Sequence, residues 1–163
     1  MENPIVVSNT TPLIALAWLT KLDLLPAFFG QVYIPQAVLD EIRDKPQAIG
    51  AAEIPNAPWL VITPVIHQNS VLLLSDQLDA GESEAIVLAQ ELQAGLLLMD
   101  ERRGRRRAVQ SGLTVTGTLG ILIEAKKQGV IARISPLLEK LRLLPFRMSD
   151  ELVADVLKMA GEE

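Results

Sequence analysis

Short apolar runs alternate with helical patterns along almost the whole chain, and this alternation is the feature that most constrains the fold. An uninterrupted apolar run of three or four residues is typical of a strand that is buried on both faces. Strands separated by helices form βαβ units, whose right-handed crossovers give a mainly parallel sheet with helices on both faces. We therefore predict an α/β protein with three layers, α/β/α, and an additional C-terminal helix. The predicted strands are residues 5–7, 31–34, 59–62, 96–99 and 113–115.

The composition excludes several classes of site. The 163 residues contain no Cys, which excludes disulfides, thiolate catalysis and Cys-ligated zinc. The single His, His67, falls in a predicted loop and leaves little room for a Ser-His-Asp triad. The start of the chain has no basic targeting segment and no apolar stretch long enough to span a membrane. We expect a soluble, cytoplasmic protein.

Polar residues follow the first and fourth predicted strands directly. Asn9 lies just beyond the first strand, and Asp100 and Glu101 lie just beyond the fourth. Glu82 begins the helix before the fourth strand, and Glu41 follows the second strand by one helix. In parallel sheets the functional crevice lies beyond the carboxyl ends of the strands. Carboxylates gathered there repel one another unless a cation lies between them, and oxygen-rich clusters suit Mg²⁺ or Mn²⁺.

A run of arginines follows this acidic segment and contains five positive charges in six residues. The net charge of −5 argues against broad binding to nucleic acid, so any phosphate contact must be local. Arginine binds phosphate oxygens in a bidentate manner, which favours a phosphate-binding edge beside the acids. Pairing with neighbouring acids and a dimer contact are the alternatives. The predicted RNA-binding residues are Arg102, Arg103, Arg105, Arg106 and Arg107.

Four motifs, in this order and spacing, resemble those of PIN domains. The third and fourth acidic positions, Glu82 and Asp100, are 18 residues apart, an interval found in many PIN proteins. The similarity covers about residues 5–125, and residues 146–162 resemble the tail of an uncharacterised PIN subfamily. The motifs are VVSNTTPLI at residues 6–14, IPQAVLDEI at 34–42, DAGESEAI at 79–86 and LLMDER at 97–102.

The resemblance implies a metal-dependent ribonuclease like the VapC-type toxins of toxin–antitoxin pairs. It implies Mg²⁺ or Mn²⁺ as cofactor, RNA as substrate, a small antitoxin protein as partner, and a homodimer. Glu41 is chosen on the resemblance alone, since an acid on a helix is usually just solvated. Thr10 would orient the attacking water or a metal ligand. The implied metal-binding quartet is Asn9, Glu41, Glu82 and Asp100.

The chain departs from the PIN pattern at Asn9, where the family has Asp. An amide oxygen can coordinate Mg²⁺, but the site then has one negative charge fewer. Asp79, Glu84 and Glu101 are conceivable replacement ligands. One reading is therefore an active ribonuclease, and the other is a binding module that has lost turnover. A phosphohydrolase that forms an aspartyl phosphate ranks below both, because Asn9 cannot serve as a carboxylate nucleophile.

Without the resemblance, the acids have simpler explanations. Glu82 would complement the dipole of the helix that it begins, and Asp100 would cap the next helix. With the resemblance, we expect one PIN-like domain over residues 1–163. Its core would span about residues 5–125, and a helical extension would span residues 135–163.

Overall fold

The computed structural model describes residues 4–145 and 148–162, so Phe146 and Arg147 of the tail motif lie outside the described residues. The chain divides into two compact units, the first ending at Gly117 and the second beginning at Thr118. The strands all belong to the first unit, and the second unit is helical. In the described residues, no helix is both long and apolar enough to cross a membrane.

A five-stranded, all-parallel sheet forms the centre of the first unit. Its strands are β1 (Val6–Ser8), β2 (Val32–Ile34), β3 (Leu60–Ile62), β4 (Leu96–Leu98) and β5 (Val115–Thr116). They lie in the order β3-β2-β1-β4-β5, with Val7 paired to Tyr33 on one side and to Leu97 on the other. Because the strand order reverses at β1, the ligand crevice of such a sheet lies beyond the ends of β1 and β4.

Helices flank this sheet and complete the predicted three-layer α/β/α architecture. Val7, Leu97 and Met99 of the sheet pack against α5, whose residues 85–89 are all buried. These five consecutive apolar residues lie on all sides of the middle of the helix, as expected for a helix segment that is buried all round. The helices of the first unit are α1 (Thr10–Trp18), α2 (Leu24–Phe29), α3 (Gln36–Arg43), α4 (Gln68–Leu74), α5 (Ala80–Glu91) and α6 (Arg102–Gln110).

Helix α4 was not expected from the sequence pattern, which predicts no element between β3 and α5. Val71 and Leu74 are buried at helical spacing, whereas Leu72 and Leu73 between them are 67% and 79% exposed. The exposed pair makes the segment a continuous apolar run and hides its helical period. His67, expected in a loop, lies at the N-cap position of this helix.

The second unit contains α7 (Thr118–Lys127), α8 (Ser135–Leu141) and α9 (Asp150–Met159). Ser149 caps the start of α9, because the Leu152 N–H donates to the Ser149 hydroxyl over 3.0 Å. Glu162, just beyond α9, accepts a hydrogen bond from the Ile134 N–H at the start of α8. It also accepts one from the Lys126 ammonium of α7 over 2.9 Å. One carboxylate thus joins all three helices of this unit.

Candidate functional site

Asn9 lies at the reversal point of the sheet and has a buried oxygen without a partner. Its N–H donates to the Leu98 carbonyl over 2.9 Å, which continues the pairing of β1 and β4 by one residue. The side chain is 3% exposed, and its Oδ1 has no hydrogen-bond partner. Leaving a buried polar atom unpaired typically costs about 1–3 kcal/mol, so such an atom calls for a ligand or a functional reason.

Glu41 of α3 and Asn9 lie close together, next to Gly81 in the first turn of α5. A Cβ on Gly81 would stand 2.9 Å from Oε2 of Glu41 and 3.3 Å from Oδ1 of Asn9. The Thr10 hydroxyl donates a hydrogen bond to the same Oε2 of Glu41, which fixes the carboxylate beside the amide. Glycine at position 81 therefore makes room for two oxygen donors that come from distant parts of the sequence.

Glu82, at the start of α5, has a carboxyl group whose pKa is strongly raised. It follows the N-cap residue Asp79, whose Oδ1 accepts from the Glu82 N–H over 2.8 Å. Burial raises the pKa of the Glu82 carboxyl to about 8, and a hydrogen bond with Asp79 adds to the shift. The negative charges of Asp79, Glu101 and Glu41 act in the same direction. These acids therefore form one electrostatic cluster, and a cation in it would favour the ionised form of Glu82.

Glu101 belongs to this acid cluster, although the sequence pattern favours it only as a replacement ligand. Its Oε1 accepts from the Thr11 hydroxyl over 2.6 Å, while its Oε2 is buried without a partner. In the described residues, this oxygen and Asn9 Oδ1 are the buried side-chain atoms that lack a hydrogen-bond partner. The sequence signal was the Asp-Glu pair after β4, which does not reveal which acid turns towards the cluster.

Asp100 lies between the ends of β4 and β5, beside an arginine. A Cβ on Gly117 would stand 2.5 Å from Oδ1 of Asp100 and 2.8 Å from Nη1 of Arg105. The same guanidinium nitrogen donates to the Met99 carbonyl over 3.1 Å, so Arg105 is held at the end of β4. Glu84, the remaining conceivable ligand, accepts from the Ala37 N–H over 3.2 Å and links α5 to α3.

The remaining arginines of the run are exposed on α6 and do not share the position of Arg105. The buried side of α6 carries Gly104 and Ala108 instead. A Cβ on Gly104 would stand 3.0 Å from Oε2 of Glu82, so the helix backbone passes directly beside the acid cluster. The exposed arginines are Arg102, Arg103, Arg106 and Arg107.

The donor set consists of carboxylate and amide oxygens, which suits a hard divalent cation such as Mg²⁺ or Mn²⁺. In the part of the chain that the structure describes, no group of three acids or histidines stands ready to hold a metal ion. Mg²⁺ does not require one, because it keeps several waters and is usually bound through one or two carboxylates. The two unpaired buried oxygens, Asn9 Oδ1 and Glu101 Oε2, are each of the chemical type that such an ion takes as a ligand.

The comparisons with known proteins agree with this geometry. A family model described as a PIN domain matches residues 5–162, which is nearly the whole chain. No curated protein matches the sequence. PIN domains are generally nucleases that act on RNA and use divalent metal ions, consistent with acids gathered at the carboxyl ends of parallel strands. The chain therefore belongs to the PIN-domain family.

Proposed function

We propose that the protein is a divalent-metal-dependent endoribonuclease and the toxin component of a toxin–antitoxin pair. The observation that carries the proposal is that two buried oxygens lack a hydrogen-bond partner, one on Asn9 near Glu41 and one on Glu101, whose charge acts on Glu82. A protein interior rarely leaves such atoms unpaired, and acids rarely gather without a compensating cation. A bound Mg²⁺ or Mn²⁺ would account for both features.

In this proposal Asn9, Glu41, Glu82 and Asp100 hold the metal, and Glu101 offers a further oxygen. When bound, the ion supplies Lewis acidity for activating a water and for stabilising the leaving oxygen of a phosphodiester. Thr10 acts as a positioning residue, because its hydroxyl is bonded to Glu41 and restricts the rotation of that carboxylate. Asp79 holds the first turn of α5 and thereby the backbone of Glu82.

A second function, a binding module without turnover, is favoured by one specific observation. Asn9 provides a neutral oxygen where PIN domains have a carboxylate, so the cluster attracts a cation less strongly. Under this alternative the chain binds RNA or a protein partner through the same surface. The Asn9→Asp variant should bind Mn²⁺ more tightly under either function. Only under the second should the substitution create cleavage activity that the natural chain lacks.

The experiment is cleavage of a structured RNA in Mn²⁺, Mg²⁺ or EDTA, compared with a Glu41→Ala/Asp100→Ala double variant. Asp40→Ala is the matched control, because Asp40 is an exposed acid on the same helix as Glu41 and its carboxylate accepts a hydrogen bond from the neighbouring Gln36 side chain. The proposal predicts metal-dependent cleavage by the natural chain and the control, and loss of at least 100-fold in the double variant. Equal cleavage by all three proteins would mean a contaminating nuclease and would contradict the proposal.

The proposal extends to the partners of the protein. We propose that it forms a homodimer and that a small antitoxin protein silences it. Ile66, Leu72 and Leu73 are 78%, 67% and 79% exposed on and before α4, and such apolar surface favours an interface between protein chains. Leu73→Glu should shift the protein to a monomer in light scattering. An unchanged mass would remove α4 from the interface.

The domain organisation is part of the same proposal. We propose that residues 1–163 act as one PIN-like domain, with a core at about 5–125 and a helical extension at 135–163. The matched family model supports this because it spans both compact units without a break. Loss of RNA cleavage on deletion of residues 135–163, with the remaining chain still folded, would support a single functional unit.

A further inference from the structure

The arginines of helix α6 lie on different faces of the helix, and one of these faces borders a cleft. Arg103, Arg106, Arg107 and Gln110 follow one another at helical spacing and share that face. Arg105 points elsewhere, because its guanidinium is bonded to the Met99 carbonyl at the end of β4. The arginine run is therefore not one uniform basic patch but at least two groups with different surroundings.

The cleft has a volume of about 380 Å³ and is bounded on its other side by residues 76–78, between α4 and α5. Leu78 is buried there, while Asp76 and Gln77 are exposed. The cleft thus presents three guanidinium groups and two amide side chains against a single carboxylate. Among residues 4–145 and 148–162, the ion pairs involve other basic side chains, so the charge of these arginines is not compensated.

We propose that this cleft is a second binding site for the RNA, which takes a backbone phosphate away from the bond that is cut. This inference rests on the proposed function, since it assumes that the substrate is RNA. Guanidinium groups bind phosphate oxygens bidentately, and glutamine amides donate further hydrogen bonds to them. An excess of positive charge without aromatic side chains suits the backbone of a nucleic acid and not its bases.

The position of the cleft relative to the acids supports a site for a neighbouring phosphate. Gly104, on the buried side of α6, lies beside Glu82, while Arg103 and Arg107 border the cleft. The two sites therefore lie around the same turn of one helix, whose diameter with side chains is about 10–12 Å. An RNA strand that enters the acid cluster can reach the cleft with its next nucleotides. Binding in the cleft needs no metal ion.

The experiment measures binding of a short single-stranded RNA in EDTA, where no metal-dependent cleavage occurs, over a series of KCl concentrations. The cleft variant is Arg106→Gln/Arg107→Gln. The control is Lys45→Gln/Lys127→Gln, which removes the same charge from exposed residues outside both sites. We expect the cleft variant to bind about tenfold more weakly at low salt, with the slope of log K against log[salt] reduced by about 0.7 for each lost phosphate contact. The control should retain the natural affinity and slope.

Three outcomes separate this inference from the proposed function. Metal-dependent cleavage with equal RNA binding by the cleft and control variants would overturn the inference and leave the nuclease intact. Weaker binding by the cleft variant in a protein that never cleaves RNA would support the cleft and contradict the nuclease. A polyglutamate peptide that displaces the RNA at lower concentration than inorganic pyrophosphate would assign the cleft to an acidic protein partner and overturn the inference.

Arg103→Gln is a single change on the same face of α6. It should weaken RNA binding as the cleft variant does.

Discussion

Two glutamates, the buried Glu82 in the first unit and Glu162 in the second, whose side chain is 5% exposed, have pKa values that are shifted in opposite directions. Burial acts on both and by itself raises a carboxyl pKa. Glu82 is surrounded by other acids, and its pKa rises to about 8. Glu162 receives hydrogen bonds from the Ile134 and Ser135 N–H groups and from Lys126, and its pKa falls to about 2. An acid with its own donors is already compensated within the protein, whereas one among other acids has an uncompensated environment that the proposed metal ion would stabilise.

The largest expected effect comes from removing the satisfied carboxylate. Glu162→Ala leaves Lys126 and the N–H groups at the start of α8 without their acceptor. We expect the free energy of unfolding to fall by about 3 kcal/mol, measured in urea. Glu139→Ala is the control, because its side chain is 72% exposed and forms one long ion pair with Arg142. A similar loss in both variants would mean that Glu162 has no special role.

The stabilisation that Glu162 provides depends on pH, and the direction of its pKa shift sets how. Because the folded pKa of Glu162 is below its unfolded value, its stabilisation is present above pH 5 and is lost as the pH falls towards 2. Glu162→Gln should therefore flatten the stability profile between pH 5 and pH 2. A profile that stays as steep as that of the natural chain would assign the acid sensitivity to other carboxylates.

In metal-free protein, Glu82→Gln should increase the free energy of unfolding at high pH, whereas Glu162→Ala should decrease it. The folded pKa of Glu82 is above its unfolded value, so the native state loses stability as the pH rises from about 4.5 to about 8. The variant lacks this loss and should be more stable than the natural chain at pH 9 by roughly 1–2 kcal/mol. Unfolding in urea with EDTA at pH 5 and pH 9 measures the difference. Lower stability of the variant at pH 9 would contradict the prediction that the ionised Glu82 carboxylate destabilises the metal-free fold.

Glu91 is a smaller test of the same rule. Its carboxylate accepts hydrogen bonds from the Ile66 and His67 N–H groups and contacts His67 Nδ1 at 2.8 Å. Burial opposes ionisation, but these bonds outweigh it and lower the pKa of Glu91. Glu91→Ala should thus cost about 1 kcal/mol above pH 5, and the cost should shrink as the pH falls through the folded pKa. An unchanged free energy of unfolding in urea would show that the hydrogen bonds of Glu91 to Ile66 and His67 do not stabilise the fold.

The smallest effect on stability is expected at Gly81. The Cβ of Gly81→Ala would crowd the Glu41 and Asn9 oxygens, while alanine in place of glycine favours the helix by up to about 1 kcal/mol. We expect stability to stay within about 0.5 kcal/mol and Mn²⁺ affinity to fall several-fold. Ala80→Ser, at the exposed neighbouring position, is the control for the calorimetric titration. Unchanged affinity in Gly81→Ala would place the metal elsewhere.

Much of the fold could be predicted from local patterns, and the exceptions have physical causes. The buried runs that became β1 and β4 read as strands because both faces of each are covered. Helix α4 was not predicted, because two exposed leucines disrupt its apolar period. The hydrogen bonds of Glu162 at the start of α8 could not be predicted either. Their donors, the Ile134 and Ser135 N–H groups, are 28 and 27 residues before Glu162 in the sequence.

The candidate site could be predicted less completely. The sequence indicated that Asn9 and the acids would gather at strand ends, and the structure brings Asn9 and Glu41 together beside Gly81. The sequence did not indicate that the unpaired oxygen would be on Glu101, because successive side chains after a strand point in different directions. Helical spacing alone reveals which arginines share a face of α6. The opposite wall of the cleft, residues 76–78, depends on tertiary structure.

The most direct test of the central claim is a calorimetric titration of Mn²⁺ into the natural chain and into Asn9→Asp. We propose that the unpaired Asn9 oxygen belongs to a cation site formed with Glu41 and the acids around Glu82. This claim predicts binding by the natural chain and about tenfold tighter binding by Asn9→Asp, because a carboxylate attracts the ion more strongly than an amide. Asp40→Asn should bind as the natural chain does. Equal affinity of Asn9→Asp and the natural chain, or no binding by either, would contradict the claim.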